Sequence, residues 1–209
     1  MNETKRRLLD SAMQVIARNG WPGLSVRSVA NEAKVSSSQV QYHFHARADL
    51  IAATYQHIGD KLESYVTPLL DDQITPDTLL RILVSWIPDT TEREAWARTW
   101  VAFSAASLHE EVLSNPAREV DETLRSWLSE QFHELASRGE VSRDLDTNLA
   151  ARQLLGLIDG LTLQALLLPM SERRDFIQPA LIDMFIRLGC TPSSDLNSSR
   201  TTPDQNKSM

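Results

Sequence analysis

The chain has 209 residues, 42% of them hydrophobic and 23% charged, the balance of an ordinary soluble globular protein of one large or two modest domains. A single cysteine, Cys190, excludes a disulfide framework and fits a reducing cytoplasm; the charged start MNETKRRLLD is not what is expected of a secretory leader, and the apolar run at 161–168 is too short to span a bilayer. The net charge of −7 is unevenly placed: residues 1–50 hold seven basic against four acidic side chains, or +3, which leaves −10 for the remainder. A basic head on an acidic body points to phosphate contact at the head alone.

Glycine is scarce and period-two alternation is nearly absent, so the expected fold class is all-α, with about nine helices. A first helix is expected from a Thr4 cap, with Leu8, Leu9, Ala12, Val15 and Ile16 at helical spacing, a stop at Gly20 and a turn at Trp21-Pro22-Gly23. Ser25 caps a second, with Val26, Val29, Ala30 and Ala33 as its stripe, and Lys34-Val35 joins it to a third. The third opens at Ser36, three residues before Gln39, which fits a capping box. A fourth is expected from Arg47 to Leu70, with Leu50, Ala53, Ile58, Leu62 and Val66 inward and Pro68 near its end. Thr75-Pro76 opens a fifth, closed by Pro88; a sixth covers about 92–109; Asn115-Pro116 opens a seventh that runs to Gly139. An eighth, the most apolar, spans about 146–168, and a ninth follows Ser171 to Gly189. The expected organisation is a basic three-helix head at 1–48, a helical body at 49–190 and a disordered polar tail at 191–209.

Enzyme chemistry finds no support. There is no phosphate-cradling glycine loop, no HExxH pattern and no cysteine pair for zinc, and His43 and His45, two apart on a helix, do not chelate. Neither a metal nor a cofactor is expected.

The third helix carries the sharpest signal. In VSSSQVQYHFH, Val40 and Phe44 lie four apart on one side, and the residues between them must point outward. Three short helices with a tight second connection and a polar third describe a helix-turn-helix, whose third helix fits a major groove about 12 Å wide. Ser37, Gln39 and Gln41 are candidates for base contacts, and Ser38, Tyr42 and His43 for phosphate or sugar. Ser25, Arg27 and Ser36 stand at helix starts that favour phosphate. Each has a plainer alternative: Ser36 as a cap, Gln39 spent in the capping box, Tyr42 packed on its own domain, His43 packed on the fourth helix.

Residues 4–55 resemble the DNA-binding domain of the TetR family of transcriptional regulators, on the run SVRSVANEAKVSSSQVQYHFHARADL at 25–50, with YHF and its surroundings most like the BetI-like branch. By this resemblance Arg47 takes the place of the family's phosphate-binding lysine. Lys34 replaces a turn glycine, so either it accepts a left-handed backbone or the turn differs; Ser38 replaces a second glycine, and Gln41 stands where a phosphate-contacting tyrosine is usual.

The resemblance also implies a helical C-terminal domain that dimerises, responds to a small-molecule effector and makes the protein a repressor at a palindromic duplex. For the dimer interface the candidates are Ala151, Leu155, Gly156, Ile158, Leu161 and Thr162 on the eighth helix, whose apolar and small residues exceed what one core face needs. For the effector pocket they are the aromatics Trp86, Trp96, Trp100, Phe103 and Trp127. The rival reading is a helical adaptor whose basic end meets an acidic protein.

Overall fold

The computed structural model describes residues 2–67 and 73–190, which form nine α-helices and no strand. The expected inward side chains of Leu62 and Val66, the helix end at Pro68 and Leu70, and the tail from residue 191 lie outside the described residues. Among the described helices none is long and apolar enough to cross a membrane.

The head is built from local capping. Helix α1 (Glu3–Asn19) is capped by Asn2, whose side chain accepts the Thr4 N–H, not by Thr4 as expected: the chain turns helical two residues earlier because Asn2 reaches its own N2 donor. Gly20, with φ 68°, ends α1, and Trp21–Gly23 forms a 3-10 turn. Ser25 and Ser28 satisfy one another's backbone amides at the start of α2 (Val26–Ala33). Lys34 caps the end of α2 at φ 55°, ψ 46°, the left-handed conformation its place in the turn demanded; among the described residues it is the only non-glycine with positive φ. Ser36 then accepts the Gln39 N–H to start α3 (Ser37–His43).

Helix α4 (Arg47–Val66) joins head to body. The body comprises α5 (Pro76–Ser85), α6 (Thr91–Ser107), α7 (Glu111–Arg138), α8 (Thr147–Ala165) and α9 (Arg173–Arg187). Thr75 caps α5 with Pro76 at its first position, and Asp146 caps α8. Helix α7 departs from expectation: it starts at Glu111 and takes Pro116 into its interior. Fully buried Leu113 anchors the leading turn in the core, and Pro116 sacrifices only one backbone bond there.

Two cores result. One gathers α1–α4 around Leu8, Ile16, Trp21, Val40, Phe44 and Leu50, and is completed by Phe103 from α6 and Leu113 from α7. The other fills the body around Leu79, Leu83, Leu128, Phe132, Leu154, Leu181 and Phe185. Helix α6 packs on the first of them. Ala95, Thr99 and Phe103 are buried, and the Thr99 hydroxyl lies 3.1 Å from the Met13 carbonyl of α1. Buried Arg173 fastens α9 to this frame through the carbonyls of Leu168 and Pro88 and the carboxylate of Glu94.

Candidate nucleic-acid interface and ligand cavity

Val40 and Phe44 are fully buried, so α3 lies on the head like a lid with its polar side out. Ser36, Ser37, Ser38, Gln39, Gln41 and Tyr42 are all exposed. Tyr42, at 78% exposure, does not pack into its own domain; its ring meets only the edge of His43 at 5.2 Å. His43 is half-buried between Tyr42 and Phe44. The capping box expected at α3 is only half formed. Ser36 accepts from Gln39 N–H at 3.2 Å and shares a hydroxyl contact with Ser38 at 2.9 Å, while the Gln39 side chain makes no return bond among the described residues. That side chain is therefore free for a partner.

Two helix starts flank this face. Ser25, half-buried, spends its hydroxyl on the α2 cap, while Arg27 beside it is exposed. Arg47 is exposed at the start of α4, but its Nε donates to the Leu24 carbonyl at 3.3 Å. That bond holds the guanidinium and leaves its two terminal nitrogens without a hydrogen bond among the described residues. Lys5, whose ammonium sits 5.7 Å over the Phe44 ring, adds charge beside α3 and was not singled out from sequence.

In the body, Trp86, Trp96 and Trp100 border one cavity with Asp121, Leu124, Leu155, Ile158, Asp159 and Thr162. Trp96 and Trp100 stack with centroids 6.2 Å apart and planes 5° from parallel. The room for water-molecule centres is about 40 Å³, space for a few waters. The buried indole nitrogens of Trp86 and Trp96 have no hydrogen-bond partner among the described residues. Asp159 stands at the rim, open to solvent on its outer side, and accepts from Trp100 Nε1 at 3.3 Å. Burial pushes its carboxyl above the usual range; the Trp100 bond opposes this and the Asp121 charge adds to it. Asp121 is paired with Arg125, but no cation lies within ion-pair distance of Asp159 among the described residues. Sequence reasoning missed Asp159, although it is the one acidic residue of α8 and so stood out in an otherwise apolar helix.

Two of the expected pocket aromatics lie elsewhere. Phe103 is fully buried in the core of the head, against Trp21 and Tyr55, because it sits almost two turns beyond Trp96 where α6 has already reached α1 and α4. Trp127, a turn beyond Leu124 on α7, packs half-buried on the body core.

The expected interface set is corrected more deeply. Ala151, Ile158 and Thr162 are buried inside the monomer, and Leu155 and Leu161 pack half-buried on the same core. Of the six only Gly156 is exposed. Ala151, Leu154, Ile158 and Ala165 form the inward stripe of α8, so the outward face belongs to Leu149, Gly156 and Leu163, with exposed Leu167 just past the helix end. Leu167 is 84% exposed, and Phe176 and Ile186 of α9 are also open. Among the described residues no three His, Cys, Asp or Glu side chains are placed to hold a metal. Cys190 is buried and its thiol is pushed up to about 11, chiefly by burial.

Comparison with known proteins converges on one description. Residues 8–54 match the family described as bacterial regulatory proteins, tetR family, and residues 76–187 match BetI-type transcriptional repressor, C-terminal. The HTH-type transcriptional regulator BetI of Pseudomonas aeruginosa PAO1 is 32% identical over 168 residues, covering 78% of this chain and 81% of that protein. A TetR-family transcriptional regulator from Rhodococcus sp. superposes with a TM-score of 0.75 at 26% identity, over 88% of this chain and 98% of that one. A transcriptional regulator from Saccharomonospora viridis in complex with choline superposes with a TM-score of 0.67 at 20% identity, over 89% and 97%.

Proposed function

Because this chain belongs to the TetR family of transcriptional regulators, with a BetI-type C-terminal domain, we propose that it is a ligand-responsive repressor that binds a palindromic duplex as a homodimer and is released by an organic cation. The observation that carries the DNA-binding half is the outward polar face of α3 over buried Val40 and Phe44. On this reading Gln39, Gln41 and Ser37 meet base edges, where a bidentate glutamine contact discriminates by about 1–3 kcal/mol. Arg47, Arg27 and the amides at Ser25 and Ser36 hold phosphates, with Ser38, Tyr42 and His43 along the backbone. One head covers one half-site, and a two-fold pair sets the separation of two. The head is then residues 1–48, the regulatory body 49–190, and the cytoplasm the setting.

Pairing is assigned to the outward face of α8 and α9, where Leu149, Leu163, Leu167 and Ile186 leave apolar surface open in the monomer. Gly156 and Gly160 on this face have nothing within 4 Å of a built Cβ, which allows close approach of a twin helix.

The cavity supports one effector class. Stacked indole faces and a carboxylate without a counter-ion favour a cation, and the two unpartnered indole N–H groups favour one that also carries an acceptor oxygen. Choline, the ligand in the Saccharomonospora relative, has both features. The test is fluorescence anisotropy of a duplex spanning the DNA upstream of the protein's own gene, titrated with protein and then with choline. Binding reversed by choline supports both halves; binding that choline leaves intact removes the cation assignment and keeps the DNA-binding one; no binding at low salt removes both.

A further inference from the structure

We propose that the cleft where α1 meets α4 and α6 is a second ligand site, for the zwitterion of a small α-amino acid. It lies apart from the aromatic cavity and does not depend on the effector assigned there. Its walls are Asp10, Met13 and Gln14 of α1, Lys61 of α4, and Glu92 and Trp96 of α6. The room for water-molecule centres is about 210 Å³, against about 40 Å³ in the aromatic cavity. That is the liquid volume of roughly seven waters, space for a molecule of about as many heavy atoms. Trp96 is the wall that the two spaces have in common.

The polar groups around this cleft carry both signs of charge and are largely unspent. Lys61 Nζ stands 3.4 Å from Asp10 Oδ1 and 3.9 Å from Glu92 Oε1, beyond the roughly 2.7–2.9 Å of a charge-assisted hydrogen bond. Elsewhere the body closes its pairs: Arg98 reaches Glu94 at 2.7 Å, and Arg174 reaches Asp89 at 2.6 Å. Buried His57 places Nε2 2.8 Å from Asp10 Oδ1, which fixes that carboxylate; Asp10 Oδ2 makes no hydrogen bond among the described residues. The Glu92 carboxylate and the Gln14 carboxamide make none there either. Each charge answers one half of a zwitterion: the Lys61 ammonium donates to a carboxylate, and Asp10 Oδ2 with Glu92 accept from an ammonium. The alkylammonium of Lys61 already stands between those two carboxylates. A ligand with both charges slots into these loose pairs and leaves every ion beside a counter-ion. A lone amine would stand beside the Lys61 cation, and a lone carboxylate beside two anions. Buried Met13 and Ala95, with the Trp96 indole, supply the apolar wall for the ligand's side chain.

The test is titration of the full chain with three probes that share one branched hydrocarbon, L-valine, isobutylamine and isovalerate, each followed by saturation-transfer NMR of the probe. L-Valine is expected to bind about tenfold more tightly than either single-charge probe. Lys61→Met and, independently, Glu92→Gln are each expected to weaken L-valine about tenfold, the worth of one charge-assisted hydrogen bond. Both side chains are partly exposed and only loosely paired, so both variants are expected to melt with the wild type. Excess choline is expected to leave L-valine in place. No L-valine binding, isobutylamine or isovalerate that matches it, or an affinity that survives both substitutions overturns the proposal. Displacement of L-valine by choline would put it in the aromatic cavity and overturns the proposal as well.

Discussion

The head and the body do their work by different physics. In the head, every exposed candidate contact lies within a few residues of the cap or core residue that orients it: Ser36 starts α3, Val40 and Phe44 hold it down, and Ser37, Gln39, Gln41 and Tyr42 are left outside. In the body, the cavity draws Trp86 from the end of α5, Trp96 and Trp100 from α6, Asp121 from α7 and Asp159 from α8. A surface fixed by local spacing keeps its shape when its surroundings change; a cavity assembled from four helices changes when any of them shifts. That contrast suits a rigid reader coupled to a responsive sensor.

The largest expected effect breaks the contrast within α3 itself. Phe44→Ala should cost about 3–5 kcal/mol in urea unfolding, whereas Tyr42→Ala two residues away should stay within about 0.5 kcal/mol. Equal costs would mean that α3 faces the other way.

Next is the joint that holds α9 on the sensor. The Arg173 hydrogen bond, with help from Arg98, keeps the Glu94 carboxyl below the usual range. A depressed carboxyl adds stability above its unfolded pKa, and that stability is lost as pH falls through the folded one. Arg173→Ala, which leaves Glu94 without its buried partner, should cost about 3 kcal/mol at neutral pH. Glu94→Gln should be destabilising at neutral pH and converge on the wild type in acid; a gap that does not change with pH would show that the pair contributes through packing alone.

Smaller again is the turn. Lys34→Gly should relieve left-handed strain of about 1 kcal/mol and raise the melting temperature, partly offset by the greater freedom of glycine in the unfolded chain. An unchanged or lower melting temperature would show that the turn already accommodates lysine without strain.

The same contrast explains what could be read from sequence. Caps at Ser25 and Ser36, the helix opening at Thr75-Pro76 and the turn position of Lys34 were legible because each depends on residues one to four positions away. The start of α7 was not, because Leu113 is anchored in the core of the head, which no local spacing reveals. Trp86, Trp96 and Trp100 were grouped by residue type, and the same reasoning swept in Phe103 and Trp127, since composition does not say where α6 leaves the cavity for the head. Likewise the apolar excess of α8 was visible, but which side faces inward depends on α7 and α9, and so Ala151, Ile158 and Thr162 were assigned outward when they are buried.

The central claim is that α3 reads bases while Arg47 holds phosphate, and one experiment separates the two: binding of wild-type, Arg47→Ala and Gln41→Ala proteins to a fluorescent duplex from upstream of the protein's own gene, measured across a range of salt. Arg47→Ala should weaken binding to all sequences and reduce the slope of log affinity against log salt by about one unit. Gln41→Ala should leave the slope alone and alter preference at one base pair. A wild-type protein that ignores the duplex at low salt, or two variants indistinguishable from it, would contradict the account.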